Sequence, residues 1–191
     1  MMAQDVVFKG DSVVINDSIT ISRELYEEAM SIAEEAVHLS FMGINFKTPT
    51  DEFCKALEEK GCSQIYLTDP KDMKIFKGLF YGKDATIYIT HSPSIKKVIN
   101  ATAYIELENK KEVQDLMEEL KEQLENKYEV KAIAKDNSSG LKEYQFNIGM
   151  NMILVGQFYP KVDDGIHYEC LLMYSDVINA KLAHQSKIDD L

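Results

Sequence analysis

Few residues in this chain have types and spacing that lend themselves to chemistry. The tightest group is Asp163, Asp164, His167 and Glu169, with two carboxylates in a turn followed by an imidazole and a third carboxylate two positions apart. Residues i and i+2 of a strand share a face, so His167 and Glu169 are expected side by side, with the turn carboxylates next to them. Oxygen and imidazole ligands so arranged suit a divalent cation. The competing reading is a polar turn that runs into a solvent-facing strand edge.

The aromatic residues form a second group. Tyr66, Phe76, Phe80, Tyr81, Tyr88 and Tyr104 fall in one set of strand patterns. One face of an antiparallel sheet packs on helices and the other can stay open. On an open face Tyr66, Tyr81, Tyr88 and Tyr104 would make a protein- or carbohydrate-binding surface. The chain has no Trp, which disfavours a sugar-stacking platform. The alternative packs these rings into the core or against helix ends.

Other chemistry is sparse. Cys54, Cys62 and Cys170 are odd in number and lack a CxxC spacing, so they read as buried free thiols rather than a disulfide framework. A Cys54–Cys62 bridge across a helix end is the alternative. A catalytic thiol would need an activating His close by, and neither sequence neighbourhood supplies one. His38, His91, His167 and His184 show no paired ligand spacing. GxGxxG, P-loop, GxSxG and HExxH patterns are absent, so no cofactor is expected. The 32 Asp and Glu residues are spread over the whole chain and single out no glycosidase pair.

The elements that position these residues follow from periodicity. Val6-Val7-Phe8 and Val13-Val14-Ile15, separated by Gly10-Asp11-Ser12, predict a β-ribbon. Leu25, Ala29, Ile32, Ala33, Ala36 and Val37 predict a helix over 23–38. Phe41 to Phe46 reads as one short strand. Thr48-Pro49-Thr50-Asp51 predicts a helix start with Thr48 as cap, and Gly61 its end. Strands are expected at 64–68, 74–80, 85–90 and 98–107. Asn109, with Glu112 three residues on, predicts a second helix whose buried stripe is Val113, Leu116, Met117, Leu120 and Leu124. Strands return at 130–135, 142–148, 152–158 and 166–174, ahead of a polar tail with weak helical character.

Helix then strands, twice over, predicts an α+β fold: an antiparallel sheet with helices packed on one face, built as a tandem repeat. A shift of 67 residues lays Leu57 over Leu124, Asp69 over Asp136 and Gly82 over Gly149. The expected organisation is an N-terminal ribbon-and-helix extension, 1–40, and an α+β domain, 41–191. That domain holds two pseudo-repeats (41–108 and 109–175) and the tail.

Bulk composition narrows the class. The chain has 191 residues and a formal net charge of −11, with 45% hydrophobic and 28% charged residues, as in soluble globular proteins. Its longest basic features are Lys96–Lys97 and Lys110–Lys111, flanked by carboxylates, which argues against a nucleic-acid partner. No apolar run approaches transmembrane length, so no membrane insertion is expected. Met1-Met2-Ala3-Gln4 reads as a cytoplasmic start, or as the remnant of an export signal.

Several stretches resemble a group of uncharacterised Bacteroidetes proteins over about residues 41–191. They are Phe41-Met42-Gly43-Ile44, Phe53 to Gly61, Phe76 to Gly82 with the strand 85–89, Leu120 to Tyr128, and Tyr174-Ser175-Asp176-Val177-Ile178-Asn179 with the closing Asp189-Asp190-Leu191. Residues 5–40 look like an addition to that pattern, and the Gly-Pro that often follows the second helix is replaced by Glu129-Val130. The resemblance implies export for many members and assigns no activity.

Three functions compete. The preferred one is a non-catalytic binding module with a protein partner or self-association, using an open sheet face or a loop. The second is an enzyme or ligand carrier with a new cleft containing Asp163, His167 and Glu169. The third is a structural role in which the N-terminal ribbon adds to another chain's sheet.

Overall fold

The computed structural model describes residues 6–15, 19–22, 38–65, 72–162 and 165–189. The expected helix at 23–38 lies, but for His38, outside them, as do Tyr66, Asp163 and Asp164. The chain divides into two compact units, Met1–Val37 and His38–Leu191.

In the first unit β1 (Val6–Lys9), β2 (Ser12–Ile15) and β3 (Ile19–Ser22) form an antiparallel meander in the order β1-β2-β3. β-Branched residues fill these strands, and Gly10-Asp11 turns the chain between the first two.

The second unit opens with a small hairpin, β4 (Ser40–Phe41) and β5 (Ile44–Asn45). The single strand expected from Phe41 to Phe46 is therefore broken: Met42 and Gly43 both have positive φ, as a two-residue hairpin turn requires. The turn lets Phe41, Ile44 and Phe46 all enter the core.

Helix α1 (Thr50–Glu59) follows. Thr48 does not cap it. Pro49 occupies the cap position without a side-chain bond, and the Thr50 amide donates to the Lys96 carbonyl at 3.0 Å. A tertiary backbone bond thus does the work that the local Thr48 hydroxyl was expected to do. The other end agrees with the sequence. Gly61 has φ +88°, the Cys62 amide donates to Leu57 and the Gly61 amide to Glu58, the paired bonds of a Schellman ending.

Four antiparallel strands follow: β6 (Ser63–Ile65), β7 (Met73–Phe80), β8 (Lys83–Ser92) and β9 (Lys97–Leu107). Helix α2 (Lys110–Tyr128) comes next. Asn109 caps it as expected: its side chain accepts from the Glu112 amide at 3.1 Å and donates to the Glu112 carboxylate at 3.1 Å. Val113, Met117, Leu120 and Leu124 are its buried stripe.

Then come β10 (Ile133–Asp136), β11 (Lys142–Ile148), β12 (Asn151–Phe158), the short pair β13 (Lys161–Val162) and β14 (Gly165–Ile166), and β15 (Tyr168–Ser175). The polar tail is a helix, α3 (Val177–Asp189).

Eight strands form one antiparallel sheet in the order β10-β11-β12-β15-β9-β8-β7-β6. Each of α1 and α2 leads into a set of strands, and the last strand of each set, β9 and β15, pair at the centre. The fold is α+β, with the helices gathered against one sheet face, as the sequence predicts. That face carries Phe76 and Phe80, Ile87 and Ile89, Ala101, Ala103 and Ile105, Cys170 and Leu172, Ile153 and Val155, and Phe146, all joined with the helix stripes in one core. Each large side chain so buried contributes about 1.5–3 kcal/mol. No helix among the described residues is long and apolar enough to cross a membrane.

Candidate functional site

Strand alternation sends the intervening residues to the face opposite α1, α2 and α3. The registers place Tyr88 opposite Ile75 and Thr102, Tyr104 opposite Thr86 and Leu171, and Phe158 opposite Glu169. Ile75 and Leu154 lie on this face and are nearly buried, yet neither belongs to the main core. A smaller apolar group, separate from the main core, therefore lies on this face.

At its middle the rings meet edge to face. The Tyr88 and Tyr104 centroids are 5.5 Å apart at 81°, and those of Tyr104 and Phe158 5.2 Å apart at 62°. These are the favoured geometries for aromatic pairs. Together with Met73, Thr86, Thr102, Pro160 and Glu169 the rings line an open depression of about 520 Å³. Phe158 is 42% exposed, so one ring of the three presents much of its surface to solvent.

Glu169 stands at the rim of this depression. Burial raises its pKa above the ordinary carboxylate value, the facing carboxylate of Glu106 raises it further, and His167 acts the other way. Burial, then Tyr88 and Glu169, raise the Tyr104 hydroxyl. The site is thus acidic at its edge and aromatic on its floor.

The sequence-predicted residues separate into groups. Tyr88 and Tyr104 come together on the open face. Tyr81 does not join them. It occupies the two-residue turn after β7 with φ +53°, ahead of Gly82 at +70°, where glycine meets the demand for positive φ without strain. Its hydroxyl donates to the Gln123 side chain on α2 at 2.8 Å, and its ring tilts against Phe80.

His167 is not on a strand with Glu169. It lies between β14 and β15, where its amide donates to the Pro160 carbonyl at 3.0 Å. The break between β14 and β15 at His167 interrupts the alternation that the sequence suggested. No group of three or more metal-ligating side chains occurs among the described residues.

The thiols are free and buried. Burial pushes Cys54 up to about 11 and Cys170 up to about 12, and raises Cys62 as well. A thiol so protonated at neutral pH is a poor nucleophile. The Cys54–Cys62 bridge is not formed.

A buried polar network at the start of α3 was not legible in the sequence. Asp176 is fully buried; its Oδ2 meets His38 Nδ1 at 2.9 Å and its Oδ1 accepts from the Asn179 amide at 2.9 Å. Asn179 donates to the carbonyls of Phe46 (3.0 Å) and Val98 (2.8 Å), and Asn151 accepts from the Val177 amide. Asp176 thus caps the first turn of α3 through the Asn179 amide and holds the His38 ring.

Sequence reasoning also missed Phe158, Met73 and Pro160 as lining residues. The signal for Phe158 was present: Met152, Leu154, Gly156 and Phe158 alternate onto one face of β12. Comparison with family models, curated proteins and solved structures gave no match.

Proposed function

We propose that this chain is a non-catalytic protein-recognition module whose contact surface is the face of the eight-stranded sheet opposite α1, α2 and α3, centred on Tyr88, Tyr104 and Phe158. The observation that carries this reading is the edge-to-face aromatic cluster lining an open depression rather than an enclosed cavity. Aromatic anchors of low side-chain entropy, set in an apolar surround, are the kind of group that dominates protein interfaces. The raised thiol pKa values and the structural role of the His38–Asp176 pair favour binding over catalysis. The Bacteroidetes resemblance carries no activity, so the reading rests on geometry.

The test is affinity capture from the native host, comparing the full chain with a Tyr104→Ser, Phe158→Ser variant of matched thermal stability. A protein retained by the first and lost by the second supports the reading. Equal retention by both overturns it.

A second reading is a ligand or metal site built on Asp163, Asp164, His167 and Glu169; it is supported by the charge of His167 acting on Glu169. We also propose that the second unit arose by tandem duplication. Mirror-related strand order about β9 and β15 supports it. So do the buried positions of Leu57 and Leu124 and the turn positions of Gly82 and Gly149, which the 67-residue shift superimposes.

A further inference from the structure

The open face carries one electrostatic anomaly. Glu106 and Glu169 stand directly opposite each other on neighbouring strands β9 and β15. Like charges so placed repel. Among the described residues neither carboxylate has an ion-pair partner, although other carboxylates on the molecule do. The charge of His167 favours ionised Glu169, and its influence ranks below those of burial and Glu106. Beside this pair lie the rings of Tyr104 and Phe158, 5.2 Å apart. Aromatic faces attract cations, and soft, weakly hydrated organic cations above all.

We infer that the depression receives a cationic side chain, arginine or lysine, from the partner protein, with Glu169 in its lining opposing the charge, Glu106 on the adjoining strand adding to the negative field, and Tyr104 and Phe158 packing the alkyl stem and head group. This rests on the recognition reading above. A hard divalent ion is the poorer occupant. It calls for six to eight oxygen ligands, whereas the lining of this depression holds one carboxylate, Glu169, beside the neutral hydroxyls of Thr86, Thr102, Tyr88 and Tyr104 and the apolar Met73, Phe158 and Pro160. Guanidinium matches both halves of the site, since it stacks on rings and pairs with carboxylates in the same plane. The charge complementarity extends to the whole chain, whose net charge of −11 draws basic partners toward it.

The experiment is an NMR titration of the full chain with acetyl-Gly-Arg-Gly-amide, followed through the ring signals of Tyr88, Tyr104 and Phe158. The same titration uses the neutral citrulline peptide, and then calcium and zinc chloride separately. The arginine peptide should move the ring signals saturably, and both the citrulline peptide and a Glu169→Gln variant should weaken that response about tenfold. Ring signals that stay still, or that move equally with citrulline, overturn the inference. So does a metal that shifts His167 and Glu169 while the rings remain unmoved. Failure here is separable from failure of the recognition reading. Capture lost in the Tyr104→Ser, Phe158→Ser variant but intact in Glu169→Gln leaves the surface standing and removes the cation.

Discussion

Glu169 shows how one side chain records both the strength of a fold and a cost within it. Its carboxyl is half-buried against Tyr104 and Phe158 and faces Glu106, and both effects raise its folded-state pKa above that of the unfolded chain. Below both values the group is neutral in either state and costs nothing. As pH rises through the unfolded and then the folded value, the folded state must ionise a carboxyl it disfavours, and stability falls. Replacing Glu169 with Gln should therefore raise the thermal midpoint at pH 7, and the gain should vanish toward pH 4. Melting curves at the two pH values check this. A variant less stable than the parent at pH 7 would show that Glu169 makes a favourable contact. At this scale the sequence was legible where chemistry is local, as at the Asn109–Glu112 cap. It was not legible for Asp176 and His38, which meet across 138 positions, nor for His167, whose place depends on the short β13–β14 pair.

Among the elements, helices α1 and α2 illustrate opposite degrees of legibility. The Asn109 cap and the apolar stripe of α2 were both readable, because each depends on residues within the helix itself. Leu120 is 1% exposed, and Leu120→Ala should cost about 2–5 kcal/mol in urea unfolding; a near-neutral result would refute the packing of α2 on β12 and β15. The start of α1 was misread, since its first amide bonds Lys96 in a distant turn rather than Thr48. Helix α3 had the weakest pattern of the three, and its anchorage is polar: Asn179, 2% exposed, donates to two carbonyls from separate elements. Asn179→Ala would leave those carbonyls without their amide donor in the interior, at a cost of about 1–3 kcal/mol. The same denaturation measurement tests it, and an unchanged midpoint would mean that the α3 junction contributes nothing to global stability.

Across the whole molecule, alternating strands specified the sheet well, because period-two patterning commits each residue to one face or the other. What the pattern alone left open was which face the helices would cover, and with it which tyrosines would stay accessible. Among the described residues, the main core draws on those between Leu39 and Tyr174. Residues 38–191 alone should therefore unfold cooperatively; a broad, non-cooperative transition of that fragment would show that the N-terminal unit is needed for the core to form. The central claim concerns the face opposite the helices. It is tested most directly by hydroxyl-radical footprinting of the full chain, free and in the complex recovered from its host. The account predicts that labelling of Tyr88, Tyr104 and Phe158 falls in the complex while that of Tyr81 is unchanged. Protection confined to Tyr81 and α2, with the three rings labelled as in the free protein, would contradict it.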